Sequence, residues 1–228
     1  MKNKLHPNRC AHNWLVYRRM DEKVRAYFPM LGATVLDVGC GEAPYKRSVL
    51  EVSETYIGVD WPGSLHKTQV DCFADVNCEL PFHDMAFDGL ISISVLEHLY
   101  SPEVLLAESF RVLKKGGCAF LQVPWQWQVH EAPHDYFRFT PYGLKYLLEK
   151  NGFNSVEIQP LGGLFTTIAM KINYGLKRLV RGPRFVRVPI NLALIPVWWI
   201  TQILALIFDR FDGDPLTDCA GYTVFAKK

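Results

Sequence analysis

The stretch Thr34-Val35-Leu36-Asp37-Val38-Gly39-Cys40-Gly41 reads as a short strand, rich in β-branched residues, that breaks into a glycine turn. Thr55-Tyr56-Ile57-Gly58-Val59-Asp60 repeats the strand pattern and stops at Trp61-Pro62-Gly63. The residues between, to about Ser53, read as a helix. Two glycines where a strand turns into a helix let the backbone approach a ligand closely. The dinucleotide fingerprint G-x-G-x-x-G asks for a third glycine at position 44, where Pro44 stands, and this disfavours a pyrophosphate. Asp60 ends the second strand 21 residues after Gly39, where an acidic side chain can accept hydrogen bonds from ribose hydroxyls.

The same alternation continues outward. Residues 12–30 read as a helix, and a weaker third strand lies near Gln69–Phe73. Phe87–Ser94 is the fourth strand. Ser101–Lys115 is helical, with Pro102 in its first turn and Gly116-Gly117 ending it. Cys118–Pro124 is the fifth strand, Pro141–Asn151 a helix, Ser155–Gln159 the sixth strand and Ala220–Ala226 the last. Strands alternating with helices predict an α/β fold, a doubly wound parallel sheet with helices on both faces. Ligands of such sheets bind beyond the carboxyl ends of the strands. That gathers Gly39–Gly41, Asp60, Asp75, Ser94–His98 and Pro124–Arg138 around one crevice. Asp88, at the other end of the fourth strand, reads as a strand-end cap.

The chain has 228 residues, 49% of them hydrophobic and 13% aromatic, which excludes intrinsic disorder and supplies a full core. Its 25 basic and 23 acidic residues leave a net charge of +2, too small for a nucleic-acid footprint. Six cysteines, at 10, 40, 72, 78, 118 and 219, form no C-x-x-C pair. The start, Met1-Lys2-Asn3-Lys4-Leu5-His6-Pro7-Asn8-Arg9, has no apolar run and is not a secretory leader. A cytoplasmic protein with free thiols is expected.

Taken jointly, the motifs resemble the class I S-adenosylmethionine (SAM) dependent methyltransferases, the type 11 group in particular. The resemblance rests on Val35 to Gly41, Tyr56 to Asp60, Asp75-Val76 before Leu80-Pro81-Phe82, Phe87-Asp88, Val95-Leu96-Glu97-His98-Leu99, and Glu108 through Arg111 to Gly117. It spans about residues 33–160, and Ala43 replaces the usual third glycine of the first motif. It implies a Rossmann-like, seven-stranded sheet of order 3-2-1-4-5-7-6 with the last strand antiparallel. It also implies SAM as cofactor. Asp37, Gly39 and Gly41 would line its methionine part, and Asp60 would hold the ribose hydroxyls. Asp75 and Val76 would contact adenine, and Ser94 would lie under the sulfonium. Cys40 in the glycine turn and Trp61 beside Asp60 count with these cofactor-binding residues.

The acceptor side falls to the segment Trp125 to Thr140, rich in aromatic, acidic, basic and imidazole groups after the fifth strand. His130-Glu131-Ala132-Pro133-His134 matches the zincin pattern H-E-x-x-H, but that chemistry needs a helix and Pro133 opposes one. No metal is expected there. The segment resembles a His…Pro-x-Asp-Tyr-x-Arg-aromatic-Thr loop of some type 11 members. That resemblance makes Trp125, His134, Asp135, Tyr136 and Arg138 substrate-binding candidates and His130 a catalytic one. His98, at the end of the fourth strand, is the other catalytic candidate, as a base or an acceptor-side contact. Arg138 has two readings: a fork for an anionic acceptor, or an internal ion pair with Asp135 that fixes the loop.

Residues 161–217 differ from the rest. No acidic residue occurs from Ile158 to Phe208, while Lys171, Lys177, Arg178, Arg181, Arg184 and Arg187 do. Val188–Phe208 then runs 21 residues without a charge, about 31 Å as a helix. Pro189 and Pro196 are expected to interrupt it. A last strand follows, and no second stretch of spanning length brings the chain back, so a full crossing is disfavoured. The organisation expected is one methyltransferase domain: a helical segment over 1–31, a SAM-binding core over 32–160, a basic and apolar helical insertion over 161–217, and a last strand over 218–228. Residues 177–208 would meet the inner face of a membrane, or be covered by the domain or a second subunit. The expected activity is methyl transfer to a small-molecule or lipid- or glycan-linked acceptor, without nucleic acid. The rival is a SAM-binding sensor or partner protein without catalysis.

Overall fold

The computed structural model describes residues 8–64 and 70–228. The reading of residues 1–7 as part of a non-secretory start, and Gln69 of the third strand, lie outside the described residues.

Seven strands form one sheet: β1 Thr34–Val38, β2 Thr55–Asp60, β3 Cys72–Phe73, β4 Phe87–Ile93, β5 Leu113–Pro124, β6 Ser155–Pro160 and β7 Gly221–Lys227. Their order is β3-β2-β1-β4-β5-β7-β6. β1 pairs in parallel with β2 and with β4, β2 with β3, and β4 with β5. At the far edge, Asn154 N–H donates to Lys227 O and Leu161 N–H to Gly221 O, so β7 runs against β6. The expected fold class and strand order are the ones found. β1 sits in the middle with Val35, Leu36 and Val38 fully buried, as a strand covered on both faces requires.

Among the described residues, six α-helices alternate with these strands along the chain: α1 Trp14–Tyr27, α2 Lys46–Leu50, α3 Pro102–Val112, α4 Pro141–Lys150, α5 Leu164–Leu179 and α6 Arg184–Phe208. α4 starts where Thr140 Oγ1 accepts the Gly143 N–H at 3.1 Å and Pro141 occupies the first turn. α2 begins later than the sequence suggests, because Pro44 biases Ala43 out of the right-handed helical region and Ala43 takes φ +52°.

Two expectations need correction. α3 stops at Val112, not Lys115, and β5 starts five residues early, at Leu113. The sheet recruits this segment: Leu113 pairs with Phe87 across an irregular register, Lys114 Nζ bonds Asp88 Oδ1 at 2.8 Å, and Lys228 N–H donates to Gly117 O at 2.9 Å. Asp88 also accepts the Thr34 N–H at 3.0 Å, tying β4 to β1. Second, Pro189 and Pro196 do not interrupt the apolar run. α6 continues through both for 25 residues, since each proline removes one donor and the rest of the ladder carries the helix.

The chain packs as two compact units. One holds Val24–Gln159 with Tyr222–Lys228. Its aromatic centre stacks Tyr27 on Phe225 at 5.1 Å and sets Phe28 edge-on to Phe120 at 5.5 Å.

The other unit holds the chain up to Lys23 and Pro160–Gly221. Trp14, Leu15, Ala169 and Ala205 form its small apolar cluster. Polar groups are buried in it as well. Thr201 Oγ1 donates to Asn173 Oδ1 at 2.9 Å, Leu15 N–H to Gln202 Oε1 at 2.8 Å, and Asn173 Nδ2 to His12 O at 3.0 Å. Asp209 and Asp212, just beyond α6, accept the Thr166 and Leu164 N–H groups and so cap α5. The outer face of α6 exposes Phe185, Val188, Leu192, Trp199, Ile200 and Leu204.

Candidate functional site

The turn after β1 is shaped by two left-handed glycines, Gly39 at φ +72° and Gly41 at φ +53°. A Cβ on Gly39 would lie 2.3 Å from Val95 Cγ2, whereas one on Gly41 would meet only Asp60 Oδ2, at 4.0 Å. Packing therefore demands the first glycine, and the second leaves bare backbone beside Asp60. Gly39 and Cys40 N–H groups donate to Val59 O at 2.8 and 3.1 Å, which locks the turn to β2. Cys40 contributes through its backbone; burial, then the nearby Asp37 and Asp60, pushes its thiol up to about 12.

Asp60 is buried at the end of β2. Its Oδ2 accepts the Gly41 N–H at 2.5 Å and its Oδ1 accepts the Trp61 N–H at 2.6 Å. Each oxygen keeps a second lone pair for a ligand hydroxyl. Asp37 is buried one strand away and accepts the Tyr56 hydroxyl at 2.6 Å. Burial pushes Asp37 up to about 7, against the stabilising hydrogen bond from Tyr56. Ser94, at φ +56°, closes β4: its N–H donates to Gln122 O at 2.9 Å and its hydroxyl to Gln122 Oε1 at 2.7 Å. Asp75 is exposed and turns the chain by accepting the Asn77 N–H at 2.9 Å, while Val76 beside it is buried. Trp61 is exposed, with its ring edge-on to His134 at 5.7 Å.

The segment after β5 is fastened to the short 3-10 turn Leu96–His98, where Tyr136 and Phe137 N–H groups donate to Glu97 O at 2.8 and 3.2 Å. Arg138 makes an internal pair with Asp135. Its guanidinium donates to Asp135 at 2.6 and 2.8 Å, to Phe137 O at 2.8 Å and to Gln128 O at 3.2 Å. This fork holds the Asp135 carboxyl well below the usual carboxylate range, and Asp135 also accepts the His130 N–H at 2.9 Å. Residues 125–140 contain no helix, so His130 and His134 do not share a helical face. His134 is exposed, with Nδ1 3.1 Å from the Tyr136 hydroxyl. Trp125 lies nearer the sheet, its ring 6.4 Å from that of Tyr222.

Three imidazole and carboxylate groups meet where the turn and the segment join. His98 and His130 rings lie 4.7 Å apart, and their Nε2 atoms are 3.6 and 3.9 Å from Glu97 Oε1. Glu97 is fully buried, and neither carboxylate oxygen has a hydrogen-bond partner. Burial pushes it up to about 8. Burial, then the neighbouring His98, lowers His130 below the ordinary imidazole value. Glu97 is the residue that sequence reasoning left without a role. Its signal is a carboxylate inside the apolar run Val95-Leu96-Glu97-His98-Leu99. Tyr56 and Gln122, the partners of Asp37 and Ser94, carry no sequence signal because only sheet register brings them alongside.

Residues 36–121 match a family model described as a methyltransferase domain. A probable S-adenosylmethionine-dependent methyltransferase of Mycolicibacterium smegmatis is 25% identical over 218 residues, covering 90% of this chain and 80% of that protein. A demethylmenaquinone methyltransferase of Tropheryma whipplei is 33% identical over 105 residues, 41% of this chain, which spans under half (44%) of that relative. The crystal structure of a SAM-dependent methyltransferase from Archaeoglobus fulgidus superposes with a TM-score of 0.58 at 20% identity, over 92% of this chain and 94% of that one.

Proposed function

The chain belongs to the class I SAM-dependent methyltransferases, and from that premise we propose that it moves a methyl group to a lipid-linked acceptor at the cytoplasmic face of a membrane. One observation carries the acceptor class: α6 exposes an apolar face along its 25 residues, and from Ile158 to Phe208 there are six cations and no acid, four of the cations before α6 and two at its start. A basic stretch followed by an apolar helical face with Trp199 exposed suits attachment to anionic lipid. In this reading the α5–α6 unit is an insertion into one methyltransferase domain.

SAM brings an electrophilic methyl on a sulfonium, so the protein's task is to order the acceptor in line and exclude water. The residues present fit it. The bare backbone at Gly41 leaves room beside Asp60, and the spare lone pairs of Asp60 suit ribose hydroxyls. Gly39, Cys40 and Gly41 supply a close backbone wall for the methionine end, with Asp37 behind them. Val76 and Asp75 would hold the adenine, Trp61 would stand beside the ribose, and Ser94 would face the sulfonium. His98 and His130 act on the acceptor. Trp125, His134 and Tyr136 line its approach, and the Asp135–Arg138 pair holds that segment in place.

The test is transfer of label from methyl-labelled SAM into a cell extract separated into lipid, polysaccharide, protein, nucleic-acid and small-molecule fractions, with Asp60→Ala as control. Label in the lipid fraction, lost in the variant, supports the proposal. Label in another fraction replaces the acceptor class. SAM binding with no label in any fraction favours a non-catalytic sensor.

A further inference from the structure

Glu97 is a carboxylate with 0% exposure and no hydrogen-bond donor to either oxygen. Leaving such a group bare is costly, and buried carboxylates are normally hydrogen-bonded, paired or bound to a metal. The ring nitrogens of two histidines face its Oε1, at 3.6 and 3.9 Å. The glutamate oxygen and the two ring nitrogens all lie within 4.8 Å of one another. Tetrahedral coordination at about 2.1 Å sets ligand atoms about 3.4 Å apart. The 3.6 and 3.9 Å separations to Glu97 Oε1 need only a small contraction to reach that.

The tautomers agree. His98 Nδ1 lies 2.6 Å from His134 O, and a carbonyl only accepts, so Nδ1 carries the proton and Nε2 keeps its lone pair toward Glu97. His130 Nδ1 lies 3.3 Å from Asp135 Oδ2 without hydrogen-bond geometry, so it is the charge of that carboxylate that favours the proton on Nδ1 and frees Nε2. The carbonyl behind His98 is the usual support of a metal-ligating histidine. Glu131, whose Oε2 lies 3.9 Å from His98 Nε2, sits at φ +50°, a strained conformation for a non-glycine residue beside the same point.

We infer that Glu97 Oε1, His98 Nε2 and His130 Nε2 form a binding site for one divalent first-row transition-metal ion. Two imidazoles and one carboxylate suit Zn2+, Mn2+ or Fe2+ and leave coordination positions open. An acceptor hydroxyl bound there would lose its proton to water at a lower pH, and the oxyanion left is the better nucleophile. The site is not the H-E-x-x-H pattern of the sequence: it uses His130 from that pattern and takes its other two ligands from the turn after β4. It goes beyond the proposed activity, because binding of the ion requires neither SAM nor an identified acceptor.

The full chain, stripped with a chelator and dialysed, is titrated with Zn2+, Mn2+ and Co2+, followed by calorimetry, metal analysis and the visible absorption of bound Co2+. One equivalent is expected for the wild type and for His134→Ala. Glu97→Gln and His130→Ala should each bind at least about 100-fold more weakly and lose the Co2+ band. Melting curves identify any variant that fails to fold, and the remaining one then decides. Retention of less than about 0.1 equivalent of every ion by the wild type, at concentrations well above ordinary site affinities, overturns the site and leaves Glu97 as a protonated buried acid. Unchanged binding in both ligand variants also overturns it, and loss in His134→Ala alone returns the metal to H-E-x-x-H. Methylation is not read, so failure of this site leaves the proposed activity standing.

Discussion

The Tyr56 hydroxyl donates to Asp37 Oδ2 at 2.6 Å, so the acid at the end of β1 is held by a side chain from β2. Register explains the contact, because Val35, two residues before Asp37, pairs with Tyr56. The bond gives a buried acid a partner, yet Asp37 still ionises only near pH 7 because burial outweighs it.

A pH dependence follows from that balance. Between the unfolded value of about 3.9 and the folded value near 7, the folded chain binds more protons at Asp37 than the unfolded chain does. Its contribution to stability is therefore full below pH ~4 and falls as pH rises to ~7, by up to about 1.4 kcal/mol per pH unit. Urea midpoints measured across this range should lose that slope in Asp37→Asn. Tyr56→Phe should cost about 1–3 kcal/mol by leaving the acid without its donor.

Gly39 is fixed by space as well as by dihedral angle. Gly39→Ala places a Cβ 2.3 Å from Val95 Cγ2 at φ +72°, which should cost about 2–4 kcal/mol in chemical denaturation. Adding Val95→Ala should recover only the overpacking share, since the left-handed backbone remains.

Asp60→Ala removes the acceptor for the Gly41 and Trp61 N–H groups along with the proposed ribose contact. SAM affinity by calorimetry should fall roughly 10–100-fold. Asp60→Asn keeps one acceptor oxygen and should fall between the two.

Arg138 and Asp135 should behave as one unit. Each single alanine variant leaves a charge facing an empty partner, Asp135 with a side chain only 2% exposed. A double-mutant cycle in thermal unfolding should therefore give about 1–3 kcal/mol of coupling. Arg138→Lys should not restore it, because lysine lacks the fork that makes both bonds.

Removing charge near the start of α6 should weaken attachment to anionic vesicles. Alanine at Arg178, Arg181, Arg184 and Arg187 should cost about 1 kcal/mol per residue in a sedimentation assay, and the effect should shrink with salt. Vesicle binding unchanged by all four substitutions would remove the electrostatic part of the membrane reading.

The sheet was legible in the sequence because β1, β2 and β4 are short, apolar and bounded by turn residues. The turn at Gly39 and the position of Asp60 came with them. The boundary at Val112 was not legible: Gly116-Gly117 is a good helix stop, and only the pairing of Leu113 with Phe87 and of Gly117 with Lys228 draws the chain into the sheet sooner. The continuity of helix α6 was not legible for a related reason, since two prolines argue locally for a break that the length of the helix overrides. In the candidate site, residue types were readable, but the pairings of Tyr56 with Asp37 and of Glu97 with two histidines depend on register and loop path.

The contacts of Asn173, Thr201 and Gln202 put amides and hydroxyls inside the helix pair, beside buried Trp198 and Ala205, and leave hydrocarbon on its outer face. Such a pair draws its specificity from directional bonds within itself as well as from its small apolar cluster. The cost of exposing that outer face to water becomes a standing free-energy gradient toward whatever apolar phase the cell offers.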